Sequence, residues 1–307
     1  MKKFIVRTGL FLALASTLLI GGELWVRQVP NDYSYKHRQL LEQRTDTEVL
    51  ILGSSHSLFG LNPEHFSQRA FNFALTSQSL SYDRYLFERY LPRLPKLKAI
   101  VLPIGFFSLG YSLEDGIEAW RKQRYVHYLG YWKELDASEW LELKNYSTLY
   151  HNDAGQMFEQ TKRYRKRGTS PLTVNTLGWS ELFVEQTPAG LDTSGAEAAA
   201  RHAAVPQRNQ PRLDLLAMLE TAKKQNIKVL LFIPPAWESY RHAVDKGRMQ
   251  HTRQFLARLA GQEHVEFIDL FADDRFTEED FYDGDHLNHK GAQKLSRIIS
   301  TQIDNKL

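Results

Sequence analysis

The chain has 307 residues, of which 42% are hydrophobic, and this is enough to build at least one well-packed core. Its formal charge of +3 comes from the N-terminus, because residues 1–27 hold four basic residues and one acidic residue while the rest of the chain holds 35 of each. A neutral body gives no electrostatic support for nucleic-acid binding, and the lack of cysteine in the sequence excludes disulfides and thiolate metal sites.

The first 27 residues predict an export signal or a membrane anchor. Three basic residues precede a stretch without charge at residues 8–22, and Trp25 follows it. The apolar core is short for a membrane span and long for a signal peptide. A small-x-small tripeptide, Ala13-Leu14-Ala15, lies inside the apolar run rather than after it. We therefore expect a retained single-pass anchor in the inner (cytoplasmic) membrane, a stalk at residues 28–47 and a periplasmic body.

From residue 48 onwards, short apolar runs alternate with segments whose apolar residues have helical spacing. The runs at 49–52 and 97–104 lack polar alternation, which is typical of strands covered on both faces. We predict strands at 49–52, 70–75, 97–104, 228–233 and 264–269, and helices near 79–94, 211–222, 238–260 and 290–303. This order indicates an α/β fold with a doubly wound, parallel, five-stranded sheet, in a single domain over residues 48–307.

The interval between the third and fourth strands, residues 113–208, is too long for a simple crossover and predicts an insertion. It is rich in Trp and Tyr, whose rings either form a small core of its own or bind sugar faces. A basic run at 162–167 is either a solvated surface or a contact for anionic lipid headgroups or an acidic polymer. The Ala- and Gly-rich end of the insertion, residues 188–206, is expected to be a loop.

The most informative segment is the turn after the first strand, Gly53-Ser54-Ser55-His56-Ser57. Ligands of open parallel sheets bind beyond the carboxyl ends of the strands, so these hydroxyls occupy a favoured position for a nucleophile. The same residues also fit an ordinary turn with a serine N-cap for the next helix. His56 is adjacent to the candidate nucleophile, and we expect its side chain to point away as a turn or rim residue.

A second polar segment, Asp283-Gly284-Asp285-His286, follows the last predicted strand and should reach the same edge of the sheet. Asp283 and His286 suit a carboxylate that orients a general base, and this base would take the serine proton. A metal site is an alternative, with Asp283, Asp285, His286 and His289 as ligands for zinc or manganese. A third interpretation is an Asp-Gly turn before a helix that begins at Asn288.

Together, the two segments resemble the SGNH (GDSL-like) hydrolase superfamily of esterases and acyltransferases. Gly53-Ser54-Ser55 stands where that superfamily has Gly-Asp-Ser, and a late Asp-x-x-His precedes the final helix. The resemblance implies that Ser55 is the nucleophile, His286 the base and Asp283 its orienting carboxylate. The Gly-Ser-Ser variant looks like membrane-anchored members that act on cell-envelope polymers. We predict neither a cofactor nor a metal.

The predicted oxyanion hole departs from the superfamily pattern. Residues 72–77 resemble the block whose glycine amide helps to bind the oxyanion, with Ser77 in place of the glycine. The backbone N–H groups of Ser55 and Ser77 can still donate. The Gly-x-Asn-Asp block after the third strand is missing, because the chain has Gly105-Phe106-Phe107-Ser108. A third donor would come from elsewhere, and Asn72, Gln78 and the insertion are the candidates.

The sequence thus predicts a serine-dependent ester hydrolase or O-acyltransferase that acts through an acyl-enzyme on an acylated cell-envelope glycan or exopolysaccharide. The expected partners are this polymer, the membrane through the N-terminal helix and, by resemblance only, a membrane acyl-donor protein; nucleic acid is not expected. The alternative is a non-catalytic glycan-binding or scaffold component of an envelope polysaccharide complex. The missing asparagine block favours this alternative.

Overall fold

The computed structural model describes residues 1–151, 154–183 and 190–305. The chain forms two compact units. The first, which we call the helical unit, comprises Met1–Tyr35 and Trp120–Leu172. The second, the sheet unit, comprises Lys36–Ala119 and Thr173–Leu307. The serine turn and the Asp-Gly-Asp-His segment therefore belong to the same unit.

The sheet unit is built on five parallel strands. They are β1 Val49–Ile51, β2 Ala70–Asn72, β3 Ala99–Pro103, β4 Lys228–Ile233 and β5 Val265–Asp269. Their order in the sheet is β2-β1-β3-β4-β5, so Val49 pairs with Ala70 on one side and Ala99 on the other. This order confirms the predicted doubly wound α/β fold. From β1 the chain adds β2 on one side and β3 to β5 on the other, and sheets of this kind bind ligands at the point where the order reverses.

The helices are α1 Lys2–Val26, α2 Asp32–Gln43, α3 Ser55–Gly60, α4 Leu80–Tyr90, α5 Lys122–Leu129, α6 Thr148–His151, α7 Ala154–Arg167, α8 Leu191–Ala204, α9 Gln210–Lys224, α10 Glu238–Ala243, α11 Lys246–Leu259 and α12 His289–Asp304. The single helix predicted at 238–260 is two helices. Asp245 separates them because its carboxylate caps α11, accepting the N–H of Arg248 at 2.9 Å. Asn288 caps α12 in the same way, at the position where the sequence indicated a helix start.

The prediction of a loop at 188–206 is wrong over most of its length. Residues 188–189 lie outside the described residues, and α8 begins directly after Gly190. The alanines of this segment are the strongest helix formers. Gly190 has a positive φ of 57° at the N-cap, and Gly195 lies where a Cβ atom would collide with the backbone of Tyr240. The two glycines therefore mark a helix start and a close helix contact.

The N-terminal helix α1 has 25 residues, and most of its large apolar side chains are exposed. Among the described residues, it is the one helix long and apolar enough to cross a membrane, and a signal sequence has the same properties. In the sheet unit, by contrast, every residue of β1, β2 and β3 is buried. The apolar residues of these strands are thus covered by the protein itself, whereas most of those on α1 are not covered by the described residues.

Candidate active site

The candidate nucleophile lies on a tight turn between β1 and α3. Gly53 has a φ of 107°, a conformation that favours glycine, and a Cβ atom at this position would collide with the ring of Pro103. Ser55 follows as the first residue of α3. The turn therefore presents Ser55 at the carboxyl edge of the sheet, directly beyond β1.

The Asp-Gly-Asp-His segment meets this turn. Nε2 of His286 lies 2.8 Å from Oγ of Ser55, although the two residues are 231 positions apart in the chain. On the other side of the ring, Nδ1 of His286 lies 3.0 Å and 3.1 Å from the two carboxylate oxygens of Asp283. Serine, imidazole and carboxylate thus form one continuous hydrogen-bonded line.

The carboxylate of Asp283 also holds the backbone of its own turn. Its Oδ1 atom accepts the N–H of Asp285 at 3.0 Å and the N–H of His286 at 2.8 Å. Gly284 lies between Asp283 and Asp285, and a Cβ atom on Gly284 would collide with the backbone of Gly195 on α8. The turn is therefore shaped by one side chain from within and packed against a helix from outside.

A second carboxylate–imidazole pair lies beside the first. Nε2 of His56 is 3.4 Å from Oδ2 of the buried Asp285, and the other oxygen of Asp285 is 3.5 Å from Nδ1 of His286. The His56 ring stacks on the His286 ring, with a centroid distance of 5.2 Å and an interplanar angle of 17°. The expectation that His56 points away as a rim residue is therefore wrong: its ring packs on the imidazole that contacts Ser55.

The charges of this cluster are strongly coupled. Burial of His286 by itself lowers its pKa, but the charge of Asp285 and the hydrogen bond and charge of Asp283 outweigh it and raise the pKa to about 9. Burial of Asp285 favours its neutral form, yet the adjacent imidazoles of His286 and His56 hold its pKa well below the usual range. Asp285 is therefore a buried carboxylate that acts on the protonation of His286.

The predicted loop that is in fact α8 brings a third histidine to this region. Burial lowers the pKa of His202 to about 3, so its ring is neutral. Its Nδ1 atom forms a hydrogen bond of 2.8 Å with the hydroxyl of Tyr240, and its ring stacks on Phe107 at 4.0 Å. Phe107 is in the position where the superfamily resemblance placed an asparagine. We did not predict His202 as a residue of this region. The alanine content of its segment was the available signal, because it favours a helix rather than a loop.

Ser77 stands where the superfamily pattern has a glycine, and its backbone conformation explains that preference. Its φ is 57°, in the region that glycine favours, so the loop geometry is kept without the glycine. The Ser77 hydroxyl donates to the carboxylate of Glu118. Within residues 1–151, 154–183 and 190–305, the N–H groups of Ser55 and Ser77 donate to no acceptor. Both remain available to a developing negative charge.

Asn72, in contrast to Ser55 and Ser77, has no N–H of its side chain available to an oxyanion. Its side-chain amide is fully buried and donates to the carbonyl oxygens of Ser57 at 2.7 Å and Leu61 at 2.8 Å. Its Oδ1 atom accepts the N–H of Ala74 at 2.9 Å. Because both amide hydrogens are already donated, we correct the sequence prediction that Asn72 supplies an oxyanion donor. The residue instead joins the end of β2 to α3.

A buried carboxyl group connects the serine turn to the loop of Ser77. Oδ1 of Asp83 accepts the N–H of Gly53 at 2.6 Å and the side-chain N–H of Gln78 at 2.6 Å. Burial raises the pKa of Asp83 to about 7, so this acid holds a proton over much of the acidic range. The two loops that carry the free N–H groups are thus held by a common acceptor.

One group of described residues could ligate a metal ion: His56, Asp285 and His286, whose candidate ligand atoms lie within 4.8 Å of one another. The fourth ligand considered from the sequence, His289, is exposed at the start of α12. A metal on Nδ1 of His286 would have to displace its hydrogen bonds to Asp283. Both ring nitrogens of His286 are thus already engaged in hydrogen bonds, Nε2 with Ser55 and Nδ1 with Asp283.

No protein-family model and no curated protein matches the sequence. Solved structures that match include a candidate platelet activating factor from Streptococcus pneumonia (15% identity, 96% of this chain and 99% of that chain covered, TM-score 0.44). A candidate acylhydrolase from Bacteroides fragilis matches at 13% identity over 88% of this chain and 94% of that chain, with a TM-score of 0.43. A GDSL-like lipase from Bacteroides thetaiotaomicron matches at 12% identity over 90% and 100%, with a TM-score of 0.40. At this level of similarity, none of them assigns an activity to this chain.

Proposed function

We propose that this chain is an SGNH-type serine esterase or O-acyltransferase that works through an acyl-enzyme on Ser55. The observation that carries the proposal is the hydrogen-bonded line from Oγ of Ser55 through both ring nitrogens of His286 to the carboxylate of Asp283. Activation of a serine needs these three groups in this order: a hydroxyl, an imidazole that takes its proton and a carboxylate that orients the imidazole.

In the proposed first half-reaction, Oγ of Ser55 forms a bond to the acyl carbon while its proton moves to Nε2 of His286. The N–H groups of Ser55 and Ser77 stabilise the carbonyl oxygen as it becomes an oxyanion. The bond from the acyl carbon to the alcohol oxygen then breaks, and the alcohol leaves with the proton held by His286. The acyl group is now an ester of Ser55.

In the second half-reaction, water or a sugar hydroxyl attacks the acyl carbon of this ester, and His286 removes the proton of the attacking group. The bond from the acyl carbon to Oγ of Ser55 then breaks, and His286 returns the proton to Oγ. Water gives hydrolysis, and a sugar hydroxyl gives O-acyl transfer. For the transferase, a membrane acyl-donor protein is the proposed source of the acyl group. The two reactions use the same residues of the chain.

The proposed substrate is an acylated glycan of the cell envelope or an exopolysaccharide, with α1 as an anchor in the inner membrane and the sheet unit in the periplasm. The resemblance to membrane-anchored superfamily members suggests this substrate class. An aromatic wall beside His286 supports it: Phe59 meets the imidazole edge-on at 5.6 Å, and Phe183 stacks on Tyr282 at 3.7 Å. Phe59 is buried, so the half-buried rings of Phe183 and Tyr282 are the part of this wall that a sugar ring or a short acyl group would meet.

The acyl content of envelope glycopolymers tests this proposal. Cells that produce the wild-type chain should differ in O-acetyl content from cells that produce equal amounts of Ser55→Ala. A higher content with Ser55→Ala indicates a hydrolase, and a lower content indicates a transferase. Equal acyl content in every extracted polymer would contradict the envelope substrate.

The pH profile should report the unusual environment of His286. We expect kcat/KM for a chromogenic acetyl ester to rise with pH, with a midpoint near pH 9 and a plateau above it, because the imidazole accepts the serine proton only when it is neutral and its pKa is raised to about 9. Asp285→Asn removes one of the negative charges that raise the pKa of His286, so the midpoint of the pH profile should move to lower pH. A wild-type midpoint near pH 6.5 that does not move in this variant would contradict the assignment.

A further inference from the structure

The helical unit carries exposed apolar side chains that the serine chemistry does not use. Leu141 is 85% exposed, Tyr150 68% and Leu143 65%. Trp140 and Tyr146 are each 43% exposed, and their ring centroids lie 6.3 Å apart. We call these five residues the apolar rim. All five lie within residues 140–150, and such a concentration of exposed apolar side chains, unlike single ones scattered over a surface, indicates an interaction site.

The last turn of α1 is hydrogen-bonded to the same segment. The carboxylate of Glu23 accepts the N–H of Thr148 at 2.7 Å and the N–H of Leu149 at 3.1 Å. Arg27, directly after α1, donates from Nη2 to the carbonyl oxygen of Tyr146 at 2.7 Å. The apolar rim is therefore held at the C-terminal end of α1.

The basic end of α7 lies at the same end of α1. The ring of Phe158 on α7 packs on Trp25 with a centroid distance of 5.2 Å. Nη1 of Arg165 donates to Oε1 of Gln28 at 3.1 Å, two residues beyond the end of α1. The cationic side chains of the run 162–167 are exposed. Positive charge and apolar surface thus meet where α1 ends.

We propose that the apolar rim and the basic end of α7 form a surface that contacts the outer leaflet of the phospholipid bilayer crossed by α1. Trp and Tyr favour the depth at which acyl chains meet headgroups, exposed leucines insert into the acyl region, and Lys and Arg pair with lipid phosphates. The bilayer is the occupant that fits, because the exposed apolar surface of α1 leads directly to the rim. The inference rests on the proposed membrane anchoring and not on the serine chemistry.

The cysteine-free sequence allows a direct test. The full chain with Leu141→Cys is labelled with an NBD fluorophore and reconstituted in vesicles of phosphatidylcholine and phosphatidylglycerol, and mass spectrometry verifies that α1 is present. The matched control is Leu213→Cys, since Leu213 is a leucine of the sheet unit that is 54% exposed. We expect a blue-shifted emission at position 141 and quenching by lipids brominated near the headgroup end, several-fold stronger than at position 213.

A second variant, Leu143→Cys, guards against a local effect of one label. If both rim positions emit and are quenched like position 213, the proposal is overturned. Self-quenching that grows with the amount of labelled chain, without quenching by brominated lipid, would show that a second copy covers the rim and would also overturn it. Acetyl ester hydrolysis, measured on the same vesicles, tests the serine chemistry separately.

Discussion

Replacing Ser55 with alanine is expected to lower kcat/KM for a chromogenic acetyl ester by roughly 10³- to 10⁶-fold and to abolish labelling by a fluorophosphonate probe. The Ser55 hydroxyl lies 2.8 Å from Nε2 of His286. Among the described residues of the serine turn, it is the one hydroxyl that is hydrogen-bonded to this imidazole. Without it, no acyl-enzyme forms, and the residual rate comes from binding and the oxyanion donors. Initial rates and in-gel fluorescence measure the two effects.

The neighbouring Ser57→Ala variant is the matched control. Ser57 lies on the same helix, α3, and its Oγ atom is buried with no hydrogen-bond partner among the described residues. Removal of an unpaired hydroxyl should leave labelling intact and activity within about tenfold of the wild type. If Ser55→Ala reacts with the probe as well as the wild type does, another residue is the nucleophile. If the wild type neither hydrolyses nor labels, the scaffold alternative is favoured.

Asp283→Asn is expected to lower kcat by roughly 10³- to 10⁴-fold with little change in KM. Asparagine keeps an oxygen that can accept the N–H groups of Asp285 and His286, so the turn should persist. The variant loses the negative charge that orients the neutral imidazole and stabilises the imidazolium in the transition state. Steady-state kinetics, with circular dichroism to verify folding, measure this loss.

Asp285→Asn separates the two carboxylates near His286. Asp285 lies farther from Nδ1, at 3.5 Å, and also pairs with His56, so its removal should cost less activity than Asp283→Asn. Its main effect should be the shift of the pH profile described above. A larger loss of kcat in Asp285→Asn than in Asp283→Asn would make Asp285 the orienting carboxylate and would revise the proposed triad.

The fold was predictable because its signals are local. A strand that is buried on both faces of a parallel sheet is typically a short continuous apolar run, and the prediction for 228–233 coincides with β4 Lys228–Ile233. Since parallel strands end at one edge, the order of elements was also enough to expect that the segment of Asp283 and His286 would meet the turn of Ser55. The capping asparagine at 288 has a similarly local signature.

Other features of the site depend on contacts between residues distant in the sequence. No local pattern shows that the amide of Asn72 is engaged by the carbonyls of Ser57 and Leu61, or that burial holds His202 neutral beside Tyr240. The pairing of His56 with Asp285 is of the same kind.

The sequence by itself determined the α/β fold and the residues that could carry serine chemistry, because periodicity and motif order reflect backbone geometry. Only the tertiary structure decided which N–H groups remain free, which carboxylate lies closest to His286 and where the insertion meets α1. Those answers depend on distances and burial, and these arise only when remote segments pack together.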